Sequence, residues 1–261
     1  MASQQTTELN QEMAEIRPLT EIGEFQACVE LQQKVWGYHD SDLVPARMFV
    51  IARSTGGQVF GAYFQGQLIG YALALVGARQ GRAYLHSHML AVDPQYRDMG
   101  LGRAMKWRQR EDALARGFEL MEWTFDPLEI KNSYLNLQRL GAIARRYLPN
   151  YYGPSQSALQ AGLPTDRLVA EWWLHSRRVR KCLAGESEEF EIKERVPVPG
   201  EIYAWKQNRD PRAEKIQTEN RKRLQAAFAQ NLIALGYQRD QAGNGTFLLG
   251  QGNHPELMNE N

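Results

Sequence analysis

An alternating, strand-like stretch (residues 84–92) runs into Asp93-Pro94-Gln95-Tyr96-Arg97-Asp98-Met99-Gly100-Leu101-Gly102, and that run opens a helix-like stretch (residues 101–116). A strand that turns through glycines into a helix constrains the chain strongly. The helix must cross over to a further strand, and a crossover between parallel strands is right-handed. The turn is also a ready-made anion site. Its N–H groups point outward, the helix dipole adds partial positive charge, and glycine lets a phosphate approach the backbone. The spacing Arg-x-x-Gly-x-Gly excludes two familiar phosphate loops: no Gly-Lys-Ser/Thr follows, and no third glycine stands three residues after the second.

Periodicity places this unit among other elements. Residues 16–20 read as a strand, and residues 24–36 as a helix with Phe25, Cys28, Val29 and Leu31 on its apolar side. A second helix spans 44–54, with Pro45 in its first turn. Residues 57–64 and 67–76 read as a hairpin around Gln65-Gly66, leading through 77–81 into the strand at 84–92. After the helix ending at Gly117 come a strand (118–125) stopped by Asp126-Pro127, a helix (131–140) closed by Gly141, a strand (142–152), a loop (153–167) and a strand (168–175). The pattern predicts an α/β chain of the α+β type: a mixed, mostly antiparallel sheet with helices on both faces.

Residues 176–250 read as an appendage to that 16–175 core. Residues 177–181 and 185–189 look like a charged, solvated linker, and 190–198 like a strand. Asp210-Pro211 starts a helix that the pattern carries to Leu235, with Gly236 as its stop. Its stripe of Ile216, Leu224, Ala227, Phe228 and Leu232 must be buried on its own chain or on a partner, a homodimer being one candidate. Residues 237–250 read as a hairpin around Ala242-Gly243-Asn244-Gly245, giving a strand-helix-hairpin appendage. The ends, 1–15 and 251–261, read as disordered.

Composition removes several classes of function. Lys+Arg 31 against Asp+Glu 30 gives no electrostatic signature of a nucleic-acid binder. No apolar run approaches the roughly 20 residues that span a bilayer. The polar N-terminus lacks the apolar segment of a signal peptide, and Cys28 and Cys182 stand far apart, which together point to a reduced, cytoplasmic setting. No His/Cys cluster has metal-ligand spacing, so no metal is expected.

The loop resembles the Gln/Arg-x-x-Gly-x-Gly/Ala loop with which GNAT-superfamily acyltransferases hold the pyrophosphate of coenzyme A. His86-Ser87-His88-Met89-Leu90-Ala91-Val92-Asp93-Pro94 is similar to the fourth-strand motif of that family, and Trp123-Thr124-Phe125-Asp126-Pro127-Leu128 sits where its fifth strand ends. Asn132 to Gly141 sits where the next helix should lie. With Asn150-Tyr151-Tyr152-Gly153 and Glu171-Trp172-Trp173-Leu174, the wording resembles a long bacterial subfamily of predicted acetyltransferases. The resemblance implies the GNAT fold over 16–175, with fourth and fifth strands splayed around the pantetheine arm. It implies acetyl-CoA or another acyl-CoA as co-substrate, and a primary amine as acceptor.

The same resemblance assigns candidate residues. Asp98, Met99, Gly100, Leu101 and Gly102 would hold the pyrophosphate, with Arg97 capping it or standing as a solvated rim charge, and Arg103 and Lys106 either reaching phosphates or facing solvent. Leu90, Ala91 and Val92 would present backbone N–H groups to the thioester carbonyl, and Asn132 would bond the pantetheine arm or begin its helix as a cap. His86 and His88 share a strand face, as alternation requires, and either assist deprotonation of the amine or are structural. The usual acid toward the thiolate is a tyrosine four residues before the helix-ending glycine, but here that position is Leu137, leaving Tyr134 and Tyr147 as candidates. Arg145 and Arg146 read as an acceptor-carboxylate site or a solvated strand edge. The reaction implied is acyl transfer to a small-molecule amine, an amino acid included. The alternatives are protein N-acetylation and a non-catalytic acyl-CoA-binding module.

Overall fold

The computed structural model describes residues 14–37, 42–155, 160–186 and 188–251. Residues 1–13 and 252–261, most of the expected disordered ends, lie outside that set. The chain divides into two compact units, residues 1–121 and 122–261.

The first unit begins with β1 (Glu15–Pro18), α1 (Ile22–Trp36) and α2 (Ala46–Ser54), followed by β2 (Gln58–Phe64), β3 (Gln67–Arg79), β4 (Arg82–Val92) and α3 (Leu101–Ala115). Its four strands lie in chain order and pair antiparallel. The hairpins turn through Gln65-Gly66 and Gln80-Gly81, and all four residues take positive φ. Such turns match the right-handed twist of the flanking strands, so the second hairpin extends β3 and β4 beyond the 77–81 link read from the sequence. Phe25, Cys28 and Leu31 of α1 and Phe49 of α2 pack with Tyr71, Leu73, Met89 and Ala91 in one core cluster. Leu101 and Met105 of α3 pack with Ala62, Ile69 and Ala72 in another. Pro45 caps α2 from outside instead of opening its first turn.

The second unit begins within β5 (Leu120–Phe125) and continues through α4 (Ile130–Tyr134), β6 (Ile143–Leu148), β7 (Arg167–Trp173), α5 (Arg177–Ala184), β8 (Glu194–Val198), α6 (Ile202–Gln207), α7 (Pro211–Ala229), β9 (Leu232–Arg239) and β10 (Gly245–Gln251). Its strand order is β5-β7-β6-β9-β10-β8. A π-helical turn, Leu135–Arg139, extends α4, and Gly141 with φ 76 closes it.

Four local readings change here. Residues 177–181 are not linker: Ser176 caps α5 by accepting from the Val179 N–H, and Arg178 is buried. The helix expected to reach Leu235 stops at Ala229, because Asn231 takes φ 60 and Leu232 to Tyr237 are buried on both faces as a strand. Gly236 is no helix stop; a Cβ there would stand 3.2 Å from the Phe190 ring, so glycine serves close packing. Tyr151 and Tyr152 follow β6 in a turn instead of extending the strand.

Candidate functional site

Strand β4 changes face at His88. Met89 is paired with Leu73, yet Ser87 is paired with the next residue, Ala74, so His88 is the extra residue of a β-bulge. Before the bulge, the Ser87 hydroxyl meets α3 by donating to Gln109 Oε1 at 3.0 Å. After it, Met89 lies in the α1–α2 core, where its sulfur accepts from the Tyr71 hydroxyl at 3.4 Å. The bulge leaves His88 exposed, with its ring centroid 6.0 Å from that of the half-buried His86. The two rings therefore stand side by side, although the bulge at His88 interrupts the alternation of the strand. Desolvation by the protein around it holds the His88 imidazolium below its ordinary 6.5.

Leu90, Ala91 and Val92 complete the strand and deliver the chain to Asp93, whose carboxylate is buried and accepts from Lys34 Nζ at 2.6 Å and from the Gln95 N–H at 3.1 Å. Burial raises the Asp93 carboxyl, but Lys34 and the Gln95 N–H outweigh it and keep the group below its usual 3.8. Arg97 is exposed, and its Nε donates back to the Val92 carbonyl at 3.3 Å. Asp98 and Gly100 take left-handed φ of 61 and 79 on either side of Met99, and Gly100 is the N-cap of α3. Alternating handedness of this kind forms an anion-binding concavity. The N–H groups of Leu101, Gly102 and Arg103, in the first turn of α3, have no carbonyl four residues back within the helix. A Cβ at Gly102 would meet only Leu90 Cδ2, at 3.6 Å, so the space over the helix start is open. Backbone donors, dipole and free space therefore suit a phosphate.

Lys106 neither reaches that concavity nor faces water. It is buried against the sheet, with Nζ donating to the Ser87 hydroxyl at 2.7 Å. Burial pushes its amine down to about 7.

The remaining candidates lie in the second unit. Asn132 is exposed within α4 and is not its cap. Tyr134 ends α4 half-buried, with the Arg239 guanidinium 5.8 Å above its ring. Tyr147 is buried, and its hydroxyl donates to Asp166 Oδ2 at 2.5 Å; burial and the carboxylate raise its pKa strongly. Leu137 is wholly buried. Arg145 and Arg146 form no bare solvated edge: both donate to the buried Glu171, and Arg146 also to the buried Glu122. Tyr152, exposed, shares a 2.8 Å hydrogen bond with Thr124 of β5. Among the described residues, no group of three or more His, Cys, Asp or Glu could hold a metal.

Residues 25–132 match the family model for the acetyltransferase (GNAT) family. What this stretch resembles is therefore a GNAT acetyltransferase domain. The fold of the chain recurs in solved structures. The ribosomal-protein-S18-alanine N-acetyltransferase of Escherichia coli superposes with a TM-score of 0.51 at 20% identity, over 68% of this chain and all (100%) of that one. For yncA of Salmonella typhimurium, solved with its cofactor acetyl-CoA, the TM-score is 0.51 at 18% identity, over 62% of this chain and 94% of that one. A GNAT-family protein from Desulfovibrio desulfuricans gives 0.51 at 15% identity, over 62% and 99%. No curated protein matches the chain.

Within the matched stretch, the sequence pattern did not reveal the partnership of Ser87, Lys106 and Gln109. One signal was available. Gln109 falls on the buried stripe of α3 with Leu101, Met105 and Ala113, and a polar residue there demands a buried partner.

Proposed function

We propose that the chain is an acyl-CoA-dependent N-acyltransferase that moves an acetyl group, or another short acyl group such as succinyl, to the primary amine of a small molecule. Amino acids are among the candidate acceptors. The observation that carries this reading is the Arg97-to-Gly102 concavity, open above Gly102, in a stretch that resembles a GNAT acetyltransferase domain. No helix among the described residues is long and apolar enough to cross a membrane, and we read the cytoplasm as the working compartment.

Acetyl-CoA, when bound, supplies the acyl group as a thioester. The N–H groups of Leu101, Gly102 and Arg103, with Arg97, hold its diphosphate. Backbone N–H groups of Leu90 to Val92 polarise the carbonyl oxygen on which negative charge develops. An amine with a pKa of about 10.4 is only about 0.04% neutral at pH 7, so a base beside it matters. His88 is exposed, and its depressed pKa leaves it neutral at pH 7 and able to take the proton, directly or through water, with His86 supporting it. Asn132 and Tyr134 enter this reading through the family resemblance alone, as contact to the pantetheine arm and as acid toward the thiolate. Neither cysteine is needed, because both are buried and burial raises their thiols.

A second reading has its own support. Leu137 fills the usual acid position and Tyr147 is committed to Asp166, which suits a module that binds acyl-CoA without turnover. Calorimetric titration with CoA, followed by thiol release from acetyl-CoA and succinyl-CoA across amines, amino acids and peptides, separates the readings. Turnover with small amines supports the proposal. Turnover with peptides alone makes the chain a protein acetyltransferase, binding without turnover makes it a module, and absence of CoA binding overturns all three.

A further inference from the structure

The face of α3 turned to the sheet carries a lysine where an apolar side chain would cost less. Lys106 is only 5% exposed, and removing an ammonium from water disfavours its charged form. A methionine would fill much the same volume without that cost. Lys106 therefore weakens the fold, and its placement suggests what it does instead. Its Nζ donates to Ser87 Oγ at 2.7 Å, and the same hydroxyl donates to Gln109 Oε1 at 3.0 Å. With one bond accepted and one donated, the hydroxyl rotor is fixed. The backbone carbonyl of Gln109 accepts from Gln58 Nε2 at 2.8 Å, and that amide also donates to Asp112 Oδ2 at 2.8 Å. These bonds pin β4 to α3 at one residue, Ser87, and fasten α3 in turn to Gln58 of β2. The next residue is His88, where the strand changes face.

We propose that Lys106, acting through Ser87, is a positioning residue that holds the β4 bulge and thereby sets the orientation of the His88 imidazole. The inference rests on the proposed function only in giving His88 a task in acyl transfer; the coupling between Lys106 and His88 stands apart from it. The Lys106 amine reaches in from α3 and secures Ser87 by donating to its hydroxyl, without itself touching reacting atoms. Small errors in that anchor become rotations of the next side chain, because a bulged residue lacks the ladder partner that would restrain it.

The experiment compares wild type with Lys106→Met and Ser87→Ala. The His88 imidazole is followed by its Cε1–Hε1 NMR signal through a pH titration, CoA affinity by calorimetry, and kcat and KM for acetyl-CoA with an amine that the wild type acetylates. The expected result is a folded Lys106→Met variant with a melting temperature at or above wild type and little change in CoA affinity. In both variants the His88 signal moves and its titration midpoint shifts by about half a pH unit or more. With them kcat falls by about tenfold to a hundredfold while KM for acetyl-CoA stays close to wild type. An unmoved His88 signal and midpoint in both variants overturn the inference. If Lys106→Met does not fold, Ser87→Ala decides, since it removes one oxygen. If the wild type neither binds CoA nor turns over, the proposed function falls, and the His88 signal still decides the coupling.

Discussion

Lys34 of α1 donates to Asp93 across 2.6 Å, and the carboxylate that receives it is 1% exposed at the end of β4. The same carboxylate holds the Gln95 N–H, so one buried charge fixes the point where strand becomes loop. Removing the ammonium would leave that charge unpaired, which is costlier than losing the pair as a whole. Lys34→Met is expected to weaken CoA binding by about tenfold through a displaced loop, at a cost of about 2–4 kcal/mol in stability. Calorimetry and urea unfolding check both. The cost grows with pH, because the unpaired carboxylate is protonated in acid: folded-state stability of the variant should approach wild type as pH falls below about 4.

Gly102→Glu tests the loop directly. A Cβ at this position meets ordinary contact with Leu90 alone, so the fold is expected to persist, with a native circular dichroism spectrum. Its carboxylate would occupy the position of a phosphate, and acyl-CoA binding should vanish. Unchanged CoA affinity in the folded variant would remove the loop assignment.

His88→Ala should lower turnover at neutral pH by at least about tenfold and recover as pH rises toward the amine pKa. The sign follows from the depressed imidazole. Its folded pKa lies below 6.5, so wild type keeps the base form from pH 7 upward and loses rate only as pH falls through the folded value. A variant with a wild-type pH–rate profile would make His88 structural.

Arg178 closes three helix-end and strand carbonyls at once: Nε donates to Gly141 at 3.1 Å, Nη2 to Leu137 at 2.9 Å and also to Leu235. Arg178→Met should destabilise by about 3–5 kcal/mol, since buried carbonyls lose their donors. The melting temperature reads this. Ending the chain after His175 would remove Arg178 together with β9, which pairs with β6 at Ala144 and Ala234, so that truncation should yield an aggregating product. A soluble, monomeric fragment with an intact spectrum would contradict this.

Much of the first unit was legible because its signals are local. Gln65-Gly66 announces a hairpin, alternation marks most of β4, and Gly100 and Gly102 mark the turn into α3. The bulge at His88 was not legible, because a register shift belongs to two strands and alters no local pattern. Lys106 was misread for a related reason. A lysine early in a helix is ordinarily solvated, and only the fold brings Ser87 over it. In the second unit, Leu232 to Leu235 continue an apolar run that helix and strand share at short length, and burial on both faces decided for the strand. Arg145 and Arg146 looked like free charges because Glu122 and Glu171 sit on other strands.

The two tight turns of the first unit also bear on how the chain reaches its structure. β2, β3 and β4 find their partners within a few residues of each turn, which keeps the entropy lost on closure small. β6 must wait for β9, which is synthesised after β7, two intervening helices, β8 and α7. Local pairing forms quickly and distant pairing slowly, so on a ribosome the loop-bearing half can acquire order while the edge of β6 is still bare. Chaperone dependence, if the chain has any, should therefore trace to the interval between release of β6 and arrival of β9.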